Sequence, residues 1–234
     1  MTSEQWTRPV RLVAQPLMDL RTFQFRHAEI LSRIRAPDGT PIPPPAYWSS
    51  ALAVSPTFVA ALDRYVFRTA MAQPPATAGR QFINIWPPSV VLDQDPPWAL
   101  LDAEAVSQTA LELSELHTWS RHARHVLAGY REAGGWIALD DVGAGRDGLA
   151  LLAFWKPDVV KIDRSLVDRV CRSPGQAAVV RGLVSMSHEI GALVVAEGIE
   201  RTDDAEWCAD IGFDFGQGFL WARPAPWTDA DLAG

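Results

Sequence analysis

The sequence predicts an α/β fold, a modified TIM (β/α)8 barrel in which the first strand runs antiparallel to its neighbours. Three observations lead there. Eight short apolar, β-branched runs alternate with longer segments of helical period, the pattern of a largely parallel sheet with crossover helices. Residues 18–23 alone separate the first two runs, too few for a crossover helix, so those two strands form a hairpin. The runs also carry polar groups at or just past their ends, and a closed barrel gathers such ends at one mouth.

The runs, in order, are 11–17, 24–34, 81–85, 109–113, 136–139, 159–162, 193–196 and 213–215. Between the second and third, Ser55-Pro56 reads as a helix N-cap with Pro at the first helical position, followed by the apolar stripe Val59, Leu62, Val66 and Ala70. Trp119, Ala123, Leu127 and Tyr130 form the stripe of a later helix stopped by Gly134-Gly135, and Val179, Leu183 and Ile190 that of one stopped by Gly191. Thr202 with Asp203 and Asp204 opens the last long helix, with its carboxylates at the positive end.

The chain has 234 residues, 48% hydrophobic and 21% charged, an ordinary globular composition. No Gly/Ser tract or charge block divides it, and its Pro-rich spots are too short to be linkers. One barrel domain over residues 1–234 is expected. The opening MTSEQWTRPV has no apolar core, and no apolar run approaches the ~20 residues that span a bilayer, so no membrane span and a cytoplasmic location are expected. Cys171 and Cys208 have neither ligand spacing nor the multiplicity of a disulfide framework, and read as packing residues of a reduced protein. The net charge of −7 argues against holding long nucleic acid by its phosphates.

The chemistry sits at the strand ends. The second run carries Glu29, the third Asn84, the fourth Glu112 with Glu115 just after, and the fifth Asp140-Asp141. The sixth carries Lys161 and Asp163, the seventh Glu197 and Glu200, and the eighth Gln217. Taken singly, each acid reads as a helix cap or a solvated loop residue. Together they put several carboxylates in one cleft, where they stay ionised only if cations neutralise them. The donors are oxygens and amides without Cys or His, which selects hard ions, Mg²⁺ or Mn²⁺. The adjacent pair Asp140-Asp141 suits two ions ~3.5–4 Å apart, an arrangement that hydrolyses phosphate esters. His27, His117, His122, His125 and His188 are assigned no role, because exposed helical histidines are ordinarily solvated.

The same residues resemble the EAL-domain cyclic di-GMP phosphodiesterases. AQPLMDL (14–20) is similar to the family's opening QPI segment, and AEILSR (28–33) to E-A-L-x-R with Ile30 in place of Ala. INI (83–85) is similar to V-N-L, LELSE (111–115) to L-E-I-T-E, and ALDDVGAG (138–145) to A-L-D-D-F-G-T-G. PDVVKID (157–163), AEGIE (196–200) and QGFLWARP (217–224) follow in family order. Eight ordered motifs are a far stronger signal than one.

The resemblance implies a cyclic di-GMP-specific phosphodiesterase that yields linear pGpG by a two-metal mechanism. It implies Glu29, Asn84, Glu112 and Asp140 as ligands of one ion, and Asp140, Asp141 and Glu197 as ligands of the second. Arg33, with its planar fork, would grip a substrate phosphate, and Gln15 and Gln217 would complete substrate binding. Lys161 would orient and polarise the attacking water, supported by Asp163 and Glu200, and Glu115 would anchor the loop after the fifth strand. In the family that loop couples the metal site to a partner subunit, so a homodimer is also implied.

The chain departs from the pattern in that loop: Val142 replaces Phe, Ala144 replaces Thr, and Arg146-Asp147-Gly148 replace Tyr-Ser-Ser. This implies lower activity or different regulation. Ser114 for Thr keeps a hydroxyl, Trp86 for Ser adds bulk, and the segment 47–58 lacks the family's acid and Gly-Leu-Ile. Trp86 and Trp221 follow strand ends and could line the mouth. Two other functions remain open: a catalytically weak or inactive receptor that binds cyclic di-GMP, and a barrel that forms a Schiff base on Lys161. A purely structural barrel leaves the gathered acids without purpose.

Overall fold

A computed structural model describes residues 6–7, 9–72, 79–91, 96–99, 101–145 and 148–226. Strands β1 (Val10–Asp19) and β2 (Gln24–Arg35) form the expected antiparallel hairpin, with Gln15 opposite Glu29. A two-residue strand β3 (Pro41–Ile42) extends β2 outside the barrel. From β2 the sheet runs in parallel through β4 (Gln81–Asn84), β5 (Thr109–Ser114), β6 (Trp136–Val142), β7 (Val159–Ile162), β8 (Leu193–Ala196) and β9 (Phe215–Gly216). β9 then pairs antiparallel with β1, closing an eight-stranded ring whose first strand is reversed. The hairpin needs only a tight turn, in which Asp19 Oδ1 accepts from the backbone N–H groups of Arg21 and Thr22 at 2.8 and 2.9 Å.

Strand alternation positions the site. Leu17, Phe82, Ala110, Ala138, Val159, Val195 and Phe215 form a separate apolar cluster inside the barrel. Gln15, Asn84, Glu112, Asp140, Lys161, Glu197 and Gln217 each lie two residues from one of them, so period two turns each toward the barrel axis one layer further along. The intervening residues, among them Ile83, Leu111, Leu139, Val160 and Ala196, join the larger core between sheet and helices. His27 belongs to the inner layer. Its ring lies 4.9 Å from that of Phe215 and 5.8 Å from that of Phe82, and its Nδ1 accepts from the Arg80 N–H at 2.9 Å.

The helices follow the expected stripes with two corrections, the first being that Trp119, expected on the stripe of Ala123, Leu127 and Tyr130, precedes that helix and packs against the core from the segment before its Ser120 cap. Val59, Leu62, Val66 and Ala70 are all buried on the helix Pro56–Ala72, as are Ala123, Leu127 and Tyr130 on the helix Arg121–Glu132, which Ser120 caps. On the helix Pro174–Glu189, however, Val179 is 54% exposed and, just past its end, Ile190 39% exposed. Ala177, Val180, Leu183, Val184 and Ser187 face the core instead, so the apolar character of Val179 and Ile190 misled the phase. Cys208 packs in the core as expected, whereas Cys171 is exposed. Among the described residues, no helix is long and apolar enough to cross a membrane.

Candidate active site

The strand-end residues do converge, around Lys161. This side chain is fully buried, and its Nζ lies 2.6 Å from Glu112 Oε1, 2.8 Å from Glu197 Oε1, 2.9 Å from Asp140 Oδ1 and 3.4 Å from Glu29 Oε2. Amide side chains tie these carboxylates together. Asn84 donates to Glu112 Oε2 at 2.7 Å and more weakly to Glu29 Oε1 at 3.4 Å. Gln217 donates to Glu29 Oε2 at 2.7 Å and to Gln15 Oε1 at 3.3 Å, and Gln15 itself donates to the Ala222 carbonyl at 3.1 Å.

Asp140 and Asp141 are consecutive, and in a regular strand they would face opposite sides of the sheet. Two local features remove that constraint. The β6–β7 register shifts between Leu139 and Val142, and Asp141 has φ 60°, in the left-handed region that non-glycine residues rarely adopt. As a result Asp140, Asp141 and Glu197 each offer an oxygen within 4.8 Å of the others. Ser114 Oγ donates to Asp141 Oδ2 at 2.9 Å and so fixes the strained residue from the next strand. The sequence shows only that a hydroxyl is kept at position 114; its bond to Asp141 is visible in the fold alone.

Acids this close perturb one another. Burial, then the neighbouring Glu29, push Glu112 well above the usual carboxylate range, against the pull of Lys161. Burial likewise pushes Glu197 up, with Lys161 opposing and Asp140 adding to the rise, and Asp141 is raised by burial and by Asp140. Lys161 loses most to burial, but its four carboxylates together outweigh that loss and hold it well above the ordinary lysine value. It is therefore an ammonium. Expecting all neutralisation to come from bound cations thus omitted one cation that the chain itself supplies.

One lysine does not balance this many acids, and the donor set fits hard divalent ions. Glu112 Oε1 and Asp140 Oδ1 are buried against the Lys161 ammonium, and every candidate ligand is a carboxylate or amide. The remaining expected residues surround the cluster. Glu115 is buried, and its two carboxylate oxygens accept from the Gly143 and Gly148 N–H groups, both at 2.9 Å, clamping the two ends of the loop after β6. Arg146 and Asp147 lie outside the described residues. Asp163 caps the short helix Arg164–Val167 through Ser165 N at 2.9 Å and reaches Asp141 only electrostatically. Glu200 is exposed and pairs with Arg164 at 2.9 Å, lining a cavity of about 200 Å³ with Gln15, Glu29, Glu197 and Gln217. Arg33 is exposed and lines a second cavity of about 220 Å³ with Asn84 and Trp86.

The EAL domain family model matches residues 7–224. A probable cyclic di-GMP phosphodiesterase, PdeN of Escherichia coli, is 28% identical over 227 residues, 92% of this chain and 43% of that protein. An uncharacterized protein of Mycobacterium tuberculosis, Rv1354c, is 30% identical over 93% of this chain and 37% of its own length. This chain thus spans less than half of either relative. Among solved structures, the manganese and cyclic di-GMP complex of Klebsiella pneumoniae BlrP1 superposes with a TM-score of 0.78 at 29% identity, over 93% of this chain and 56% of that one. An EAL domain protein of Listeria monocytogenes superposes with a TM-score of 0.80 at 24% identity, over 96% of this chain and 91% of that one, a likeness of fold.

Proposed function

Because this chain belongs to the EAL domain family, we propose that it hydrolyses cyclic di-GMP to linear pGpG at the acid cluster around Lys161. The observation that carries the reading is the convergence of Glu29, Glu112, Asp140 and Glu197 on one buried ammonium, with Asp141 and Asn84 alongside. Glu29, Asn84, Glu112 and Asp140 would hold one Mg²⁺ or Mn²⁺, and Asp140, Asp141 and Glu197 a second. Bound there, two such ions lower the pKa of an attacking water and neutralise charge that develops on the phosphate.

The chain's own groups supply the rest. Arg33, beside Asn84 at the cavity edge, offers a guanidinium fork for a non-bridging phosphate oxygen pair. Lys161, held as an ammonium by its four acids, orients the nucleophile as a donor and does not act as a base. Gln217 holds Glu29 through its amide and is itself tied to Gln15 on the reversed strand, and Asp163 and Glu200 keep the flanking loops in place through their bonds to Ser165 and Arg164.

The Schiff-base reading has less support, since a fully buried ammonium enclosed by four carboxylates offers no free amine to a carbonyl. A receptor without turnover would also bind cyclic di-GMP here. The intact Glu115 clamp on the altered loop favours the enzyme. A homodimer is part of the same proposal. The test is turnover of cyclic di-GMP with Mg²⁺ or Mn²⁺ by wild type and by Glu29→Ala, with products separated by chromatography. Formation of pGpG by wild type and its loss in the variant support the reading; equal rates refute it.

A further inference from the structure

Asp63 is a buried carboxylate that the proposed mechanism does not use. It lies on the helix Pro56–Ala72 and is 3% exposed. Oδ1 accepts from the Trp48 indole N–H at 2.6 Å, while Oδ2 accepts from the Trp86 backbone N–H at 2.9 Å and from Ser89 Oγ at 2.6 Å. Three segments therefore meet on one side chain: the helix Pro44–Val54, the turn just after Asn84, and the helix Pro87–Val91. Burying a carboxylate is costly, and an apolar residue would fill a core position at lower cost. What a carboxylate offers instead is acceptance of three donors from a short side chain.

The position of those donors gives the arrangement a function. Trp48 and Trp86 are walls of the cavity of about 220 Å³ that also holds Ile30, Arg33 and Asn84. The Trp86 ring also packs against that of His117, with centroids 4.4 Å apart. Pockets that enclose a drug-sized ligand measure about 300–1,000 Å³, so this smaller space suits one ring system rather than a whole dinucleotide. Indole walls favour stacking on such a ring.

We infer that Asp63 is a positioning residue that fixes Trp48 and Trp86 as walls of a slot for one purine base of the substrate, beside Arg33 and Asn84. The inference rests on the phosphodiesterase reading. Asp63→Asn keeps the shape and the Trp48 acceptor but sets an NH₂ group against two donors, whereas Ser89→Ala removes one donor and leaves the fold intact.

The test is equilibrium binding of cyclic di-GMP by calorimetry in Ca²⁺, together with KM and kcat in Mn²⁺. For Asp63→Asn, Kd and KM are expected to rise about tenfold, as the loss of one well-made bond to a charged acceptor implies. The kcat at saturation changes much less, and Ser89→Ala moves Kd and KM in the same direction by a smaller factor. Should Asp63→Asn fail to fold, Ser89→Ala carries the test. Unchanged Kd and KM in the folded variants, with only the melting temperature lowered, would make Asp63 a purely structural acid and overturn the inference. A wild type that binds no cyclic di-GMP instead defeats the functional reading beneath it.

Discussion

Replacing Lys161 by Met tests the electrostatics of the site without any assumption about substrate. The substitution keeps the length of the side chain and removes the one ammonium that, among the described residues, contacts Glu29, Glu112, Asp140 and Glu197. Breaking a buried ion pair from one side costs about 3–5 kcal/mol, because the partner charge stays buried and unpaired. For a chain of this size, each kcal/mol shifts the melting temperature by about 2–4 °C, so a fall of roughly 6–20 °C is expected in chelator at pH 8.

Two controls give the result its sign. Glu112 and Glu197 already have raised proton affinity when folded, so the folded state binds more protons than the unfolded one above the ordinary glutamate range. Their contribution to stability therefore improves as pH falls toward that range. Without Lys161 both rise further, so the deficit of the variant shrinks on acidification to pH 5–6. The wild-type lysine, raised above its ordinary value, stays charged throughout and adds no slope of its own there. Mn²⁺ should raise the melting temperature of the variant by replacing the missing positive charge. Thermal unfolding followed by circular dichroism reads all three effects. A Lys161→Met protein as stable as wild type at pH 8 in chelator would refute the ion cluster described here.

Other expectations concern single contacts. Glu115→Gln weakens the bonds to Gly143 and Gly148; a loss of about 1–3 kcal/mol is expected in denaturant unfolding, with a larger fractional loss of turnover than of substrate binding. His27 is held down to about 4 by burial and by Arg80, so its ring signals should titrate near that pH by NMR. The folded protein then binds fewer protons than the unfolded one between pH 6.5 and about 4, and stability contributed by His27 falls as pH drops through that window; titration near the ordinary histidine value would contradict its buried position. Gly218 has the Ile199 backbone where a Cβ would stand, so Gly218→Ala should displace Gln217 and the Glu197–Glu200 segment, abolishing turnover with a measurable drop in melting temperature.

Much of this site was legible because barrel geometry turns a linear property into a spatial one. Residues two positions beyond Phe82, Ala110, Ala138, Val159, Val195 and Phe215 had to face the axis once those runs were strands. The hairpin followed from the length of one connection. What escaped depended on interactions with no local period. Asp63 looks like one polar residue on an apolar helix face, and only the fold shows that Trp48, Trp86 and Ser89 meet on it. Lys161 was expected to act on water, yet its enclosure by four acids depends on four different strand ends arriving at once. The left-handed backbone at Asp141, which lets consecutive acids serve one site, carries no signal in residue type. The phase of the helix Pro174–Glu189 failed for a plainer reason: Val179 and Ile190 are apolar residues left in water, and surfaces hold many such residues.

Divalent ions seated among these acids are what the proposed hydrolysis requires. A crystal of the protein grown with Mn²⁺ and cyclic di-GMP, recorded at the manganese absorption edge, tests this directly. The predicted result is two anomalous peaks about 3.5–4 Å apart with Asp140 bridging them, Glu29, Asn84 and Glu112 on one and Asp141 and Glu197 on the other. A map with no peak at this cluster, or with manganese bound only elsewhere, would contradict it.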